Sequence, residues 1–222
     1  MSNTKTIMGQ ASNQYVAPTD GSDLFSTFLY DGTGAAQTIT NGIDLTKGGL
    51  IITKRRNSSS GGGPWWNDTE RGVDNYVQSS ATTGQNTGNS MSGVTSSGYT
   101  LGTFVGWNTS AAPYVSWTFR KAPKFFDCVT YTGTGSAKTI SHNLGSVPGM
   151  IIVKRTDAVS DWGVYHRQLN NGTDRGHWRI KLNSTGAQSN QNTFWNDTAP
   201  TDSVFTVGTS TSVNASGGTY VA

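Results

Sequence analysis

The chain has 222 residues, of which 13% are charged and 33% are hydrophobic, with 28 glycines and a formal net charge of +3. Glu70 is the single glutamate, so strong helix-forming residues are scarce, and the composition excludes a helical bundle and a doubly wound α/β enzyme. The 7 Trp, 8 Tyr and 8 Phe residues supply the apolar surface of a folded core, which argues against disorder. A charge of +3 without a clustered basic face does not indicate a nucleic-acid partner.

Compartment and membrane signals are equally sparse. Cys128 is the single cysteine, so an intrachain disulfide is excluded. We find no signal peptide near the N-terminus and no apolar run of the length of a membrane span. The sequence therefore predicts synthesis in a cytoplasm, without membrane insertion.

Residues 1–23 form the first segment, and their composition predicts an extended N-terminal arm. The segment is polar except for two apolar pairs, Ile7-Met8 and Tyr15-Val16. A polar segment with a few apolar residues becomes ordered when a partner covers those residues. We therefore expect these four residues to dock the arm onto another protein.

Two blocks of about a hundred residues follow the arm and repeat one another. The matching segments occur in the same order and are residues 30–39 and 131–140, 49–55 and 149–155, 99–102 and 205–208, Asn108 and Asn214, and 114–115 and 220–221. Small changes in spacing between the pairs are typical of loop insertions between conserved strands of a repeat. We therefore place one unit at residues 24–124 and a second at residues 125–222.

Each unit predicts a series of short strands in the same order. Residues 24–30 and 125–131 read as strands that enter Gly-Thr-Gly turns, and residues 50–53 and 150–153 read as buried strands. An Asn-containing turn and a Tyr-Val strand end each unit. The pattern predicts an all-β fold with two tandem antiparallel β-sandwich or jelly-roll-like domains. The first unit continues through residues 116–119 after its Tyr-Val pair, so the last strand of the second unit is expected to be truncated. Either the natural chain would continue beyond residue 222, or a neighbouring chain would complete the sheet.

Charged residues do not form a recognisable catalytic motif. Asp68 and Glu70 beside Trp65-Trp66 are the most suitable carboxylates for glycoside hydrolysis, but a surface turn is the stronger interpretation, and the second unit lacks the pair. The three histidines lack the spacing of a metal site, so we expect no catalytic residues, metal or cofactor. Lys54-Arg55-Arg56 and Lys154-Arg155 are interpreted as charges that leave a buried strand or protect an edge.

Aromatic residues with polar neighbours are the remaining candidates for ligand binding. Sugar rings stack on exposed aromatic faces while neighbouring amides and carboxylates bind their hydroxyl groups. The candidates with this composition are Trp65, Trp66, Trp178, Trp195, Asn196 and Asp197. The alternative, which the composition favours, is that each Trp plugs the edge of a sandwich.

The second unit contains distinctive segments at residues 131–145, 148–155, 162–167, 198–208 and 214–222. These segments resemble a β-rich domain of tailed-bacteriophage virion proteins, typical of marine phages, and residues 1–9 are similar to the start of such proteins. The resemblance covers nearly all of the second unit, two blocks of the first and, loosely, the arm. It carries no catalytic residues.

The resemblance implies a structural protein of the virion. Such a protein would be a tail-fibre-like component, a component of the neck, or a protein that decorates the capsid. Such a protein acts by assembly and host attachment, without catalysis. Its expected partners are other capsid, neck or tail proteins and further copies of itself, with localisation to the virion after synthesis in the host cytoplasm. The alternative function is a lectin-like module that recognises host cell-surface glycans.

Overall fold

A computed structural model describes residues 21–58 and 63–222. Within this part of the chain the structure contains seventeen β-strands and three α-helices of a single turn each. All strand pairs are antiparallel, which confirms the prediction of an all-β fold. No helix in the described residues is long and apolar enough to cross a membrane.

The first large sheet has six strands. Its strands, in spatial order, are β1 (Phe25–Asp31), β9 (Pro113–Arg120), β3 (Gly49–Arg55), β4 (Trp65–Asp68), β5 (Asn75–Gln78) and β6 (Asn86–Thr87). A smaller sheet of β2 (Gln37–Thr40), β8 (Gly98–Leu101) and β7 (Met91–Thr95) belongs to the same part of the chain. The short 3-10 helix Leu45–Lys47 precedes β3, and helix α1 (Val105–Asn108) follows β8.

The second large sheet also has six strands. In spatial order they are β10 (Thr130–Thr132), β17 (Thr219–Val221), β12 (Met150–Arg155), β13 (Gly163–His166), β14 (Trp178–Lys181) and β15 (Ser189–Asn190). Its companion is the pair β11 (Lys138–Ser141) and β16 (Val204–Val207). The remaining elements are the 3-10 segment Leu169–Gly172 and the helices α2 (Asn192–Trp195) and α3 (Thr211–Asn214).

The two large sheets have the same order when their strands are matched along the chain. β10, β17 and β12 stand where β1, β9 and β3 stand in the first sheet, and β13, β14 and β15 continue as β4, β5 and β6 do. Helix α2 occurs in the chain position of β7. The sequence repeat is thus visible in the topology, while the division into two domains stays a prediction.

Each large sheet buries one face against its small companion. In the first part of the chain Ile51 of β3 packs in one core cluster with Ile39 of β2 and Leu101 of β8. In the second, Val153 of β12 packs with Phe205 of β16. These contacts form the interior of two sandwiches of antiparallel sheets, one in each part of the chain.

Strand β3 also buries its opposite face. Leu50 and Ile52 alternate with Ile51 and line a cavity whose other wall is formed by Ile152 of β12 and its neighbours. Successive side chains of a strand point to opposite faces, so burial on both faces requires a continuous apolar run. The apolar run at residues 50–52 therefore reflects a third layer, contributed by the second sheet.

Two predicted strand boundaries differ from the structure. The strand predicted at residues 24–30 is observed as β1, but the one predicted at 125–131 is reduced to β10. Phe125 and Phe126 instead form a turn, in which both backbone N–H groups donate to the carbonyl of Ala122. At the end of the chain, Ala222 exchanges two backbone hydrogen bonds with Val129 at 2.9 and 3.0 Å.

Candidate functional site

The side chain of Asn108 holds the first Gly-Thr-Gly turn in place, and we call this asparagine with its hydrogen-bond partners a clasp. Asn108, the last residue of α1, is fully buried. Its Oδ1 accepts from Thr33 N at 2.8 Å and from Gln37 Nε2 at 2.9 Å, and its Nδ2 donates to the carbonyls of Ala35 at 2.6 Å and Gly102 at 2.9 Å. One side chain thereby joins the turn after β1 to the end of β8.

The second Gly-Thr-Gly turn is held in the same way. Asn214, the last residue of α3, is also fully buried. Its Oδ1 accepts from Thr134 N at 2.8 Å, and its Nδ2 donates to the carbonyls of Ser136 and Gly208, each at 2.6 Å. The asparagines predicted to lie in turns are therefore helix-end residues that fix a distant turn.

Two stacked tyrosine pairs complete the clasps. Tyr30 stacks on Tyr114 with ring centroids 5.2 Å apart, and Tyr131 stacks on Tyr220 at 5.0 Å. All four hydroxyl groups donate to backbone carbonyls in or beside α1 or α3. Burial raises the pKa of Tyr131 well above its usual value, so this hydroxyl stays a hydrogen-bond donor even at alkaline pH, where an exposed tyrosine ionises.

Glycine is required where each turn meets its helix. A Cβ atom at Gly32 would lie 2.2 Å from the carbonyl oxygen of Thr109, and one at Gly133 would lie 2.2 Å from that of Ala215. The next residues, Thr33 and Thr134, are exposed. Each clasp therefore presents a short loop of defined shape at the surface.

A buried lysine fastens the second large sheet to a loop of the first part of the chain. Lys154 has no exposed surface, and its Nζ donates to the carbonyls of Thr82 at 2.9 Å and Ser160 at 2.6 Å. Trp162 Nε1 donates to the carbonyl of Ala81 at 3.0 Å. Burial lowers the pKa of Lys154 to about 8. The interpretation of this lysine as a charge that leaves the strand is therefore wrong, because the neighbouring loop covers it.

A second polar contact lies where residues 121–128 connect the two parts. Lys121 Nζ bonds to Glu70 Oε1 at 2.7 Å, to Asp127 Oδ1 at 3.1 Å and to the carbonyl of Cys128 at 3.1 Å. Cys128 is buried, and this burial raises the pKa of its thiol. Polar contacts thus join the two parts of the chain in two places.

A cavity of about 400 Å³ lies between the large sheets. Leu50, Ile52 and Trp66 line it from the first sheet, and Met150 and Ile152 line it from the second. The rings of Trp66 and Trp162 meet across the gap with centroids 5.2 Å apart. A cavity of this volume is in the range of small-molecule sites.

The two carboxylates considered for hydrolysis have separate cationic partners. Asp68 Oδ2 lies 2.6 Å from Arg71 Nη2, and both side chains are nearly buried, with 2% and 5% exposure. Glu70 pairs with Lys121 instead. Asp68 is therefore an interior ion-pair residue and is not part of a solvated turn. In the described residues no group of three or more His, Cys, Asp or Glu side chains is placed to hold a metal.

Three of the four tryptophans predicted to contact glycans pack against other protein groups. Trp65 stacks on Trp107 at 5.1 Å, and Trp66 packs on Trp162 between the sheets. Trp195 is 2% exposed and belongs to the second core cluster. The rings of these three residues are therefore packed against other protein groups.

Trp178 and the pair Asn196-Asp197 remain at the surface. Trp178 lies in β14 and is partly buried, whereas Asn196 and Asp197 are exposed. His177 Nδ1 lies 3.2 Å from Asp197 Oδ1, which brings the start of β14 next to the pair. The candidate arm residues Ile7, Met8, Tyr15 and Val16 lie outside the described residues.

Comparison with known proteins identifies the family of the chain but assigns no function to it. A family model described as a domain of unknown function, DUF7483, matches residues 20–222, so the chain belongs to this family. No curated protein matches the chain. No solved structure matches it either.

Proposed function

We propose that this member of the DUF7483 family is a structural component of a bacteriophage virion, tail-fibre-like, in the neck or decorating the capsid. It acts by assembly and adhesion and not by catalysis. The observation that carries the proposal is the clasp of Asn108 and Asn214, which builds the same defined surface loop twice. The resemblance of the second unit to tailed-phage virion domains points in the same direction.

The clasps show how the repeated polar residues are used. Asn108 and Asn214 bond to backbone groups across long sequence separations and are fully buried. A buried amide with all its hydrogen bonds satisfied fixes the local backbone and is not free to contact a substrate. The repeated residues therefore fix the shape of the protein, and a defined shape is what a virion building block contributes.

Assembly partners follow from the same proposal. Virion proteins occupy positions of defined symmetry, so this chain associates with further copies of itself and with capsid, neck or tail proteins. Residues 1–23 supply the docking arm in this proposal, through the apolar pairs Ile7-Met8 and Tyr15-Val16. After synthesis in the host cytoplasm, the protein is incorporated into the particle.

The test is the protein composition of purified particles. Particles from a phage that encodes this chain are purified on a density gradient and analysed by mass spectrometry, with a host cytoplasmic protein as the contamination control. We expect this chain at a fixed copy number relative to the major capsid protein. Its absence from particles while it is abundant in the lysate of infected cells would refute the proposal.

Recognition of host glycans is the second candidate function, confined to one surface. Trp178, Asn196 and Asp197 supply an aromatic ring and exposed amide and carboxylate groups, and the contact of His177 with Asp197 brings the start of β14 to the pair. A glycan array compares the wild-type protein with Trp178→Ala and with the exposed control Leu182→Ala. Binding that is lost only in Trp178→Ala supports this function, and no binding by the wild type removes it.

A further inference from the structure

The cavity between the two large sheets has walls that are fixed in place. Lys154 and Trp162 bond to the carbonyls of Thr82 and Ala81 in one contact, and Lys121 joins Glu70 to Asp127 in the other. Since these polar contacts hold the sheets, the space of about 400 Å³ between them is a formed cavity. Such a volume is suited to one small molecule of the size that protein pockets commonly enclose.

The lining of the cavity is mostly apolar, and its carboxylates are already paired with cations of the protein. Besides the aliphatic residues of the sheets, it includes the rings of Phe119, Phe125 and Phe126. Asp68 also lines it, but this carboxylate is bonded to Arg71 at 2.6 Å. A sugar or nucleotide needs many polar partners, which this lining does not offer. The occupant that fits is a mainly hydrocarbon molecule.

One corner of the cavity is polar. Lys124 N donates to the carbonyl of Leu144 at 2.7 Å, and Leu144 N donates to His142 Nδ1 at 3.3 Å, so the three residues are neighbours. Because Nδ1 accepts this bond, the neutral ring carries its hydrogen on Nε2. This Nε2 is buried and has no hydrogen-bond partner in the described residues, while Lys124 is exposed at the rim.

From this arrangement we propose that the cavity binds one acyl-chain carboxylate. The chain lies between the sheets, and the carboxylate accepts hydrogen bonds from His142 Nε2 and pairs with the Lys124 ammonium group. Val147 and Met150 line the cavity and are 52% and 56% exposed, which places them at its opening. This inference does not rest on a role in the virion.

Binding is tested by titration calorimetry with dodecanoate below the concentration at which it forms micelles. We expect saturation at one molecule per chain. A large ring at the opening should obstruct the chain, so Val147→Trp and Met150→Trp should each weaken binding by at least about tenfold. Val159→Trp is the matched control, because Val159 is 73% exposed and does not line the cavity. Two blocking variants keep the test valid if one of them unfolds.

Two further measurements test which residue binds the carboxylate and whether the ligand occupies the cavity. Lys124→Gln should weaken dodecanoate binding by about two- to fivefold and leave dodecanol binding unchanged, since an exposed ion pair contributes little more. Cys128 lines the cavity and is the single thiol, so dodecanoate should slow its alkylation in the wild type. The proposal is overturned if the wild type does not bind saturably, or if both blocking variants bind as Val159→Trp does.

Discussion

Replacement of Asn214 by alanine measures the contribution of one clasp to stability. The change removes the acceptor for Thr134 N and the donors to the carbonyls of Ser136 and Gly208. Gly208 is buried, so its orphaned carbonyl costs about 1–3 kcal/mol, whereas water replaces the partners at the exposed Thr134 and Ser136 for about 0.5–1.5 kcal/mol each. The free energy of unfolding should therefore fall by about 2–6 kcal/mol.

Urea unfolding followed by circular dichroism measures this loss, with Asn190→Ala as the control because Asn190 is exposed in β15. Asn108→Ala should lose a comparable amount, since Asn108 makes the three corresponding contacts in the first clasp and one more with Gln37. For a chain of this length, the loss lowers the melting temperature by at least about 4 °C. If Asn214→Ala unfolds within about 0.5 kcal/mol of the control, the clasp does not hold the fold.

Three further predictions concern the interior. Burial lowers the pKa of Lys154 to about 8, so between pH 8 and the pKa of an unfolded lysine the unfolded chain binds more protons than the folded chain. The free energy of unfolding should therefore rise with pH by up to about 3 kcal/mol. Denaturation at pH values from 7 to 10 should show this rise in the wild type and not in Lys154→Met. Gly133→Ala should lower the melting temperature, whereas Gly93→Ala, which has open space for a Cβ, should not, and equal melting would contradict the requirement for glycine. Asp68→Asn leaves the Arg71 charge buried without its partner and should cost about 3–5 kcal/mol in urea unfolding, and a loss below about 1 kcal/mol would show that water reaches the site.

The repeat in the sequence predicted much of the architecture. Matching blocks at residues 49–55 and 149–155 became β3 and β12, which occupy the same place in their sheets. The repeat also marked Asn108 and Asn214, although their role as clasps required knowledge of which backbone groups surround them. A residue pattern reports that a position is constrained, but the partner of a hydrogen bond between distant residues depends on the packed structure.

The contact between the two sheets was not predictable in the same way. Lys54 and Lys154 are equivalent in sequence and in sheet position, yet Lys54 is partly exposed and Lys154 is fully buried. The loop that contains Thr82 covers only the second of them. Because this contact joins two different surfaces, equivalent residues of the repeat have different environments. The cavity, which both sheets line, belongs to this nonequivalent part of the structure.

The tryptophans do not occupy equivalent positions in the two units. Trp65 pairs with Thr53 as Gly163 pairs with Val153, so a tryptophan and a glycine occupy equivalent positions. A Cβ at Gly163 would lie 2.9 Å from the Phe194 ring, which comes from α2, the element in the chain position of β7. The two cores are thus filled by different elements, and core volume can be conserved while residue types change. Buried groups that bond to the backbone have fewer substitutes, so Asn108 and Asn214 mark the common architecture more reliably than the tryptophans do.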